Sequence, residues 1–195
     1  MDELPPRRRV RDAELMRALA HPLRAGLLSY LTSVGPRTAS ECAEAVESSA
    51  SNCSWHLRQL AQYGLVERVE GTDGRERPWR AGQVGLDLGV SDPDPAVQAA
   101  QLAVAGTLFA EEQLLAQRYL DTAAELAPEW RDAAGFNSYA LQVTASELAE
   151  LVAKVDALMR PYVRMIRTDT PPDARPAHVG FRAFRRVEAD GKPSS

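Results

Sequence analysis

The stretch Ser48-Ser-Ala-Ser-Asn-Cys-Ser-Trp-His-Leu-Arg-Gln-Leu-Ala-Gln-Tyr-Gly-Leu-Val-Glu67 decides the fold. It reads as one short helix, stopped by Gly64 and followed at once by a strand. At about 100° per residue, Cys53, Leu57 and Leu60 fall on one side of that helix. Ser51, Asn52, Trp55, Arg58, Gln59 and Gln62 fall on the other. Amides, a hydroxyl, an indole and a guanidinium on one edge suit base edges and phosphates in a duplex major groove. A merely solvated helix face is the competing reading, so the surrounding sequence has to decide.

Working outward, Arg11 to Ala20 is expected to be helical, with Leu15, Met16 and Leu19 inward. His21-Pro22 marks a boundary, because proline suits a first helical position. A second helix carries Leu23, Leu27, Leu28 and Leu31 to the Gly35-Pro36 turn. Thr38-Ala-Ser-Glu41 is a capping box that opens a third helix through Val46. On the other side, Leu65–Glu70 and Arg75–Arg80 are strand candidates around Gly71-Thr-Asp-Gly74, whose Asp-Gly pair signals a hairpin. Pro78 is expected to confine the second strand to a sheet edge. Three helices, a polar-faced fourth and a β-hairpin make a winged helix-turn-helix arrangement over about residues 11–82.

Residues 1–10 are charged and contain proline, and a mobile arm is expected there. Gly82 to Pro95 reads as a linker. Beyond it, 96–127 lacks strong helix breakers and carries an apolar stripe of Leu102, Val104, Leu108, Phe109, Leu115 and Leu120, ended by Pro128. That stripe exceeds what one layer of a monomer would cover, so it packs either entirely against its own chain or against a two-fold partner, and the resemblance given below favours the partner. Phe136–Val143 alternates as a strand would, with Tyr139, Leu141 and Val143 on one face. A second capping box, Thr144-Ala-Ser-Glu147, starts a helix whose buried face should be Leu148, Leu151, Val152, Val155, Leu158, Met159 and Tyr162. A last strand is expected at His178–Arg186, and a disordered tail after Val187. The fold class is therefore mainly α with a small β component (α+β). An N-terminal winged helix-turn-helix is followed at about 95–187 by a helix-rich C-terminal dimerisation domain.

The run Ala18-Leu-Ala-His-Pro-Leu-Arg24, then Ser54-Trp-His-Leu-Arg-Gln-Leu60, then Tyr63-Gly-Leu-Val66, resembles the winged-helix DNA-binding domain of ArsR-type bacterial transcriptional regulators. Gly74-Arg-Glu-Arg-Pro-Trp-Arg80 is similar to a branch of them common in actinobacteria, and Trp130 through Phe184 looks like the C-terminal region of that branch. The resemblance, specific over residues 18–81, implies a homodimer reading a two-fold site on double-stranded DNA, with the fourth helix in the major groove. It places Ser51, Asn52, Ser54, Trp55 and Arg58 at the DNA, and Arg75 and Arg77 at the wing. His56 lies beside the buried edge, where a helix-stabilising hydrogen bond is as reasonable as a DNA contact. Metal-sensing members carry a Cys-x-Cys pair in the third helix or Asp/His/Glu ligands after the wing. Here the third helix has Cys42 alone and the long helix has no histidine, so no metal or other cofactor is expected.

Composition limits the remaining classes. The 195 residues carry a net charge of −4, which disfavours indiscriminate coating of nucleic acid. Residues 1–82 hold 12 basic and 11 acidic side chains, whereas 83–195 hold 11 and 16, so the acidity lies in the second half. No apolar run reaches the roughly 18 residues that span a bilayer, and the N-terminus lacks a signal-peptide core; a cytoplasmic protein is expected. Cys42 and Cys53 read as inert core thiols. An enzyme is not expected, since there is no Gly-rich phosphate loop and no Gly-x-Ser-x-Gly elbow. A regulator acting as a repressor is the leading reading; a winged-helix protein-interaction module without its own operator is the alternative, favoured by the acidic balance. Phe109, Tyr119, Trp130, Phe136, Tyr139, Phe181 and Phe184 supply either ordinary core or the lining of an effector pocket for an unknown small molecule.

Overall fold

The computed structural model describes residues 5–70, 77–89 and 92–194. Its N-terminal part is built as the spacing predicts. Helix α1 (Ala13–Leu19) starts at Asp12, whose carboxylate accepts from the Glu14 amide at 2.8 Å. Helix α2 (Pro22–Val34) has His21 at its N-cap and proline in the first helical position, and ends at Gly35 with φ of 91°. Helix α3 (Ala39–Ala45) has the complete Thr38–Glu41 capping box, and the Thr38 amide holds the Glu41 carboxyl below its ordinary range. Helix α4 (Ala50–Gln62) has Ser49 as its N-cap, whose hydroxyl accepts from the Asn52 amide. Gly64, with φ of 65°, turns the chain out of α4 in the left-handed conformation that favours glycine.

The wing strands are shorter than expected. Strand β2 (Val66–Arg68) runs antiparallel to β3 (Trp79–Ala81), with Glu67 opposite Arg80. The Gly71–Gly74 turn lies outside the described residues. Pro78 does not place β3 at an edge: β3 has β2 on one side and on the other the Arg37 backbone, which exchanges two hydrogen bonds with Trp79. The proline sits just before the strand, where its missing N–H removes no ladder bond and its carbonyl accepts from the Val69 amide at 2.9 Å.

Two expectations at the flanks are corrected. The supposed mobile arm forms strand β1 (Arg8–Arg9), and the supposed linker forms strand β4 (Leu86–Asp87). The two pair in parallel, and Val10 is buried in the core. Arg8 also donates to the carbonyls of Tyr63 and Gly64 at 2.7 and 3.2 Å, so a cation sits at the C-terminal end of α4. A run of three arginines looks solvated in sequence; here the middle one caps a helix from 55 residues away.

One hydrophobic cluster joins Leu15, Met16, Leu19, Leu27, Leu31, Cys42, Cys53, Leu57, Leu60, Leu65, Val66 and Trp79. The first turns of helix α5 (Pro95–Thr122) add Ala100 and Val104 to it, packing on α1 and α2. Thr107 donates to the Ala20 carbonyl at 3.0 Å, and Gln101 to that of Leu88 at 2.8 Å. Among the described residues no helix is long and apolar enough to cross a membrane.

Beyond α5 the chain departs from expectation. A short helix α6 (Pro128–Asp132) and helix α7 (Ala145–Met159), with its capping box intact, are present. Among the described residues Phe136–Val143 and His178–Arg185 have no ladder partner, only the Arg186 carbonyl accepting from the Ser194 amide at 3.1 Å, and neither segment is a strand. Their alternation is real, but a strand needs a neighbour for its amides and carbonyls, and none lies alongside. The expected buried face of α7 is not buried: Leu148, Leu151 and Val155 are half-buried, while Val152, Leu158, Met159 and Tyr162 are exposed. On α5, Leu102 is 70% exposed, and Phe109 and Leu120 are exposed too. The tail after Val187 closes a turn, with Val187 bridged to Pro193.

Arg8 generates the first prediction. Replacing Arg8 by alanine should lower unfolding free energy by about 1–2 kcal/mol, the range for a charged donor capping helix carbonyls. Arg9→Ala, exposed on the same strand, should leave it within about 0.5 kcal/mol. Urea denaturation followed by circular dichroism checks both.

Candidate nucleic-acid interface

The α3–α4 connection carries the site. The Val46 amide closes α3 on the Cys42 carbonyl, and Glu47 takes a positive φ of 52°. The Ser48 amide then bonds back to the Ala43 carbonyl at 2.9 Å. This left-handed step reverses the chain between two helices without a glycine. Glu47 is held on its far side by Arg118 of α5 at 2.9 Å. Ser49 next caps α4, and Asn52 Nδ2 donates to Ser48 Oγ at 3.0 Å, so the start of α4 is fixed by side chains as well as backbone.

Cys53, Leu57 and Leu60 are fully buried, as the helical wheel requires. On the opposite edge Ser51, Asn52, Trp55, Arg58 and Gln62 are exposed, while Ser54 and Gln59 are half-buried. The structure thus brings all seven helix candidates onto one continuous polar face. Arg58 donates to Ser54 Oγ at 3.3 Å one turn back, which keeps the guanidinium along the helix. Trp55 presents half its surface to solvent and meets the His56 ring edge-on, centroids 4.7 Å apart.

His56 is only 5% exposed, and its Nδ1 has no hydrogen-bond partner among the described residues. Its ring packs instead against His21, the α2 N-cap, at 4.5 Å between centroids, a contact sequence spacing does not reveal. Burial, followed by the nearby Arg24 charge, pushes the His21 imidazole below its ordinary range. Burial, then His21 and Arg24, does the same to His56. Both rings are therefore favoured neutral in the folded protein.

At the wing, Arg75 lies outside the described residues, and Arg77 is exposed. Two wing cations escaped the sequence reading. Arg68 lies over the buried Trp79 ring at 4.3 Å and donates to the Arg77 carbonyl at 2.9 Å. Arg80 is paired with Glu67 at 2.7 Å, which leaves Arg68 and Arg77 as the wing charges without a carboxylate among the described residues. The Glu67↔Arg80 pairing follows from a cross-strand register of two three-residue strands, which the six-residue strands expected from sequence do not give.

Comparison with known proteins agrees on this part of the chain. A family model described as a helix-turn-helix domain matches residues 19–69, from the end of α1 through β2. The chain carries a winged helix-turn-helix domain of the kind DNA-binding transcriptional regulators use. No curated protein matches the chain. Solved structures overlap it loosely. YusO from Bacillus subtilis is 16% identical over 75% of this chain and 82% of its own, with a TM-score of 0.32. A MarR-family regulator from Silicibacter pomeroyi is 16% identical over 77% and 78%, at 0.33. MepR, a regulator of the Staphylococcus aureus multidrug efflux pump MepA, is 15% identical over 74% and 90%, at 0.30. Overlap that loose adds nothing to the fold described above.

The aromatic residues expected to form core or pocket in the second half form neither. Tyr119 meets Phe136 at 5.7 Å and Arg182 lies over Phe109 at 4.4 Å, but Trp130, Tyr139, Phe181 and Phe184 are exposed.

The histidine pair sets a pH dependence with a definite sign. A folded-state pKa held below the ordinary value of 6.5 contributes stability fully above that pH. The contribution is lost as pH falls from about 6.5 through the depressed folded values. Melting temperature should fall between pH 7.5 and pH 5, and His56→Gln should flatten that fall; a thermal melt at each pH checks it.

Proposed function

We propose that the protein is a sequence-specific, DNA-binding transcriptional regulator, acting in the cytoplasm as a homodimeric repressor of the ArsR type, without metal sensing and without catalysis. The observation that carries the reading is the polar edge of α4. Five of its seven candidate side chains are exposed, while the opposite edge is locked into the core. In this reading α4 enters the major groove, with Asn52, Trp55, Arg58, Gln59 and Gln62 toward base edges and Ser51 and Ser54 near the backbone. Arg77, Arg75 and the added Arg68 lie toward phosphates at the wing.

Two further observations support its parts. Burial pushes the Cys42 thiol up to about 12 and raises that of Cys53, so neither offers a ready thiolate for a metal. The exposed Leu102, Phe109, Leu120, Trp130, Phe136 and Phe184 form more apolar surface than a monomer keeps in water, and a second copy is the occupant this reading assigns. The net charge of −4 favours the rival reading, a winged-helix module that binds protein and owns no operator.

In-vitro selection from random duplexes separates the two: a regulator enriches a two-fold sequence, and an interaction module enriches none. On the selected site, Arg58→Ala should weaken binding by roughly 1–3 kcal/mol. Its circular dichroism should match the parent, since Arg58 is exposed and its bond to Ser54 is local. Affinity should also fall steeply with added salt, as phosphate contacts require. Fluorescence anisotropy reads both effects.

A further inference from the structure

Between α2, the end of α3 and the middle of α5 lies a cavity of about 410 Å³, a size that suits a small organic ligand. Its walls are mostly apolar, with Leu23, Tyr30, Val34, Val46, Leu114 and Leu115 prominent among them. A second cavity of about 420 Å³ adjoins it, sharing Pro22, Glu111 and Leu114. One charged group is common to both. The Glu111 carboxylate lies over Gly26 of α2, 3.5 Å from where a β-carbon would stand, so the absent side chain makes room for it.

The neighbouring charges on α5 are spoken for. Glu112 pairs with Arg182, and Arg118, at the far end of the cavity, pairs with Glu47. Glu111 has no cationic partner among the described residues. His178, from the last extended segment, and Tyr30 of α2 are further titratable groups on the rim. A half-buried carboxylate that faces apolar walls and has no counter-ion attracts a positive charge brought in on an apolar body.

We infer that this groove is a binding site for a small lipophilic cation, with Glu111 as its counter-ion. α2 belongs to the helix-turn-helix core and α5 carries the exposed apolar face, so an occupant touches both. The consequence for DNA rests on the regulator reading above; binding to the groove does not.

Isothermal titration of the full chain tests it, with tetraphenylphosphonium and the tetraphenylborate anion as probes of matching shape and opposite charge. The parent protein should bind the cation one to one and the anion far more weakly. Glu111→Gln should weaken cation binding about 10-fold, as losing the Coulombic attraction of one carboxylate in a partly solvated site does. Leu114→Trp, which keeps the carboxylate but fills the space, should abolish it and serves if the first variant fails to fold. Equal binding of both ions, no cation binding, or cation binding unchanged in either variant would overturn the site, and would expose mere adsorption to the open aromatic surface. Selection of duplex DNA without either ion is the separate control. Cation binding with no DNA enrichment keeps the groove and removes the regulator.

Discussion

Everything displayed by the N-terminal half depends on the burial of three side chains, Cys53, Leu57 and Leu60, in a single core. They occupy one edge of α4 at helical spacing, so fixing them fixes the helix's rotation about its own axis. Once that rotation is set, the direction of Asn52, Trp55 and Arg58 follows without any interaction of their own. Truncating Leu57 would therefore do more than remove the roughly 2–5 kcal/mol of a buried leucine: it would also release the angle at which the polar edge is presented. Rotation alone is insufficient, however, because a helix can also slide along its axis. The two ends supply that restraint. Ser49 and the left-handed Glu47 hold the start, and Gly64 with the guanidinium of Arg8 holds the finish.

The same core explains why the N-terminal domain was legible from sequence. Leu15, Leu27, Leu31 and Leu57 are each placed by a period of 3.6, and the stops are local chemistry: Pro22, Thr38 with Glu41, and Gly64. Such signals lie within a few residues of what they determine. Those that were missed are long-range. Arg8 reaches across 55 residues to cap α4, β1 pairs with β4 from opposite ends of the domain, and His21 meets His56. No spacing rule encodes a parallel pair of two-residue strands, and a basic run followed by a Gly-rich stretch reads as arm and linker on composition alone.

The second half fails for a different reason. Phe136–Val143 and His178–Arg186 have strand patterning, and α7 has an apolar stripe behind a complete capping box. Local preference is satisfied in each, but every one needs a surface to bury against. In a single copy that surface is missing, so Tyr139 stands 77% exposed and Leu158 64%. Periodicity states which face wants cover; it does not state who provides it. The half-buried Leu148, Leu151 and Val155 mark where the chain begins to supply cover itself, and the salt bridge of Asp156 to Arg7 ties α7 back to the N-terminal domain.

Charge placement then sets how such a chain can approach a polyanion. With a net charge of −4, long-range attraction cannot come from the molecule as a whole. It has to come from a local set of cations whose partners are not already carboxylates. Of the arginines near the polar edge, Arg80 is taken by Glu67 and Arg37 by Glu41. Among the described residues Arg58 and Arg68 are bonded to neutral oxygens, a hydroxyl and a carbonyl, which a phosphate outcompetes because charge-assisted bonds are the stronger. The acidic excess lies in residues 83–195, and beyond a Debye length of about 8 Å at physiological salt its repulsion is largely screened. A small uncompensated group on a rigid edge, in a chain whose net acidity is carried by residues 83–195, favours recognition by fit over recognition by bulk attraction.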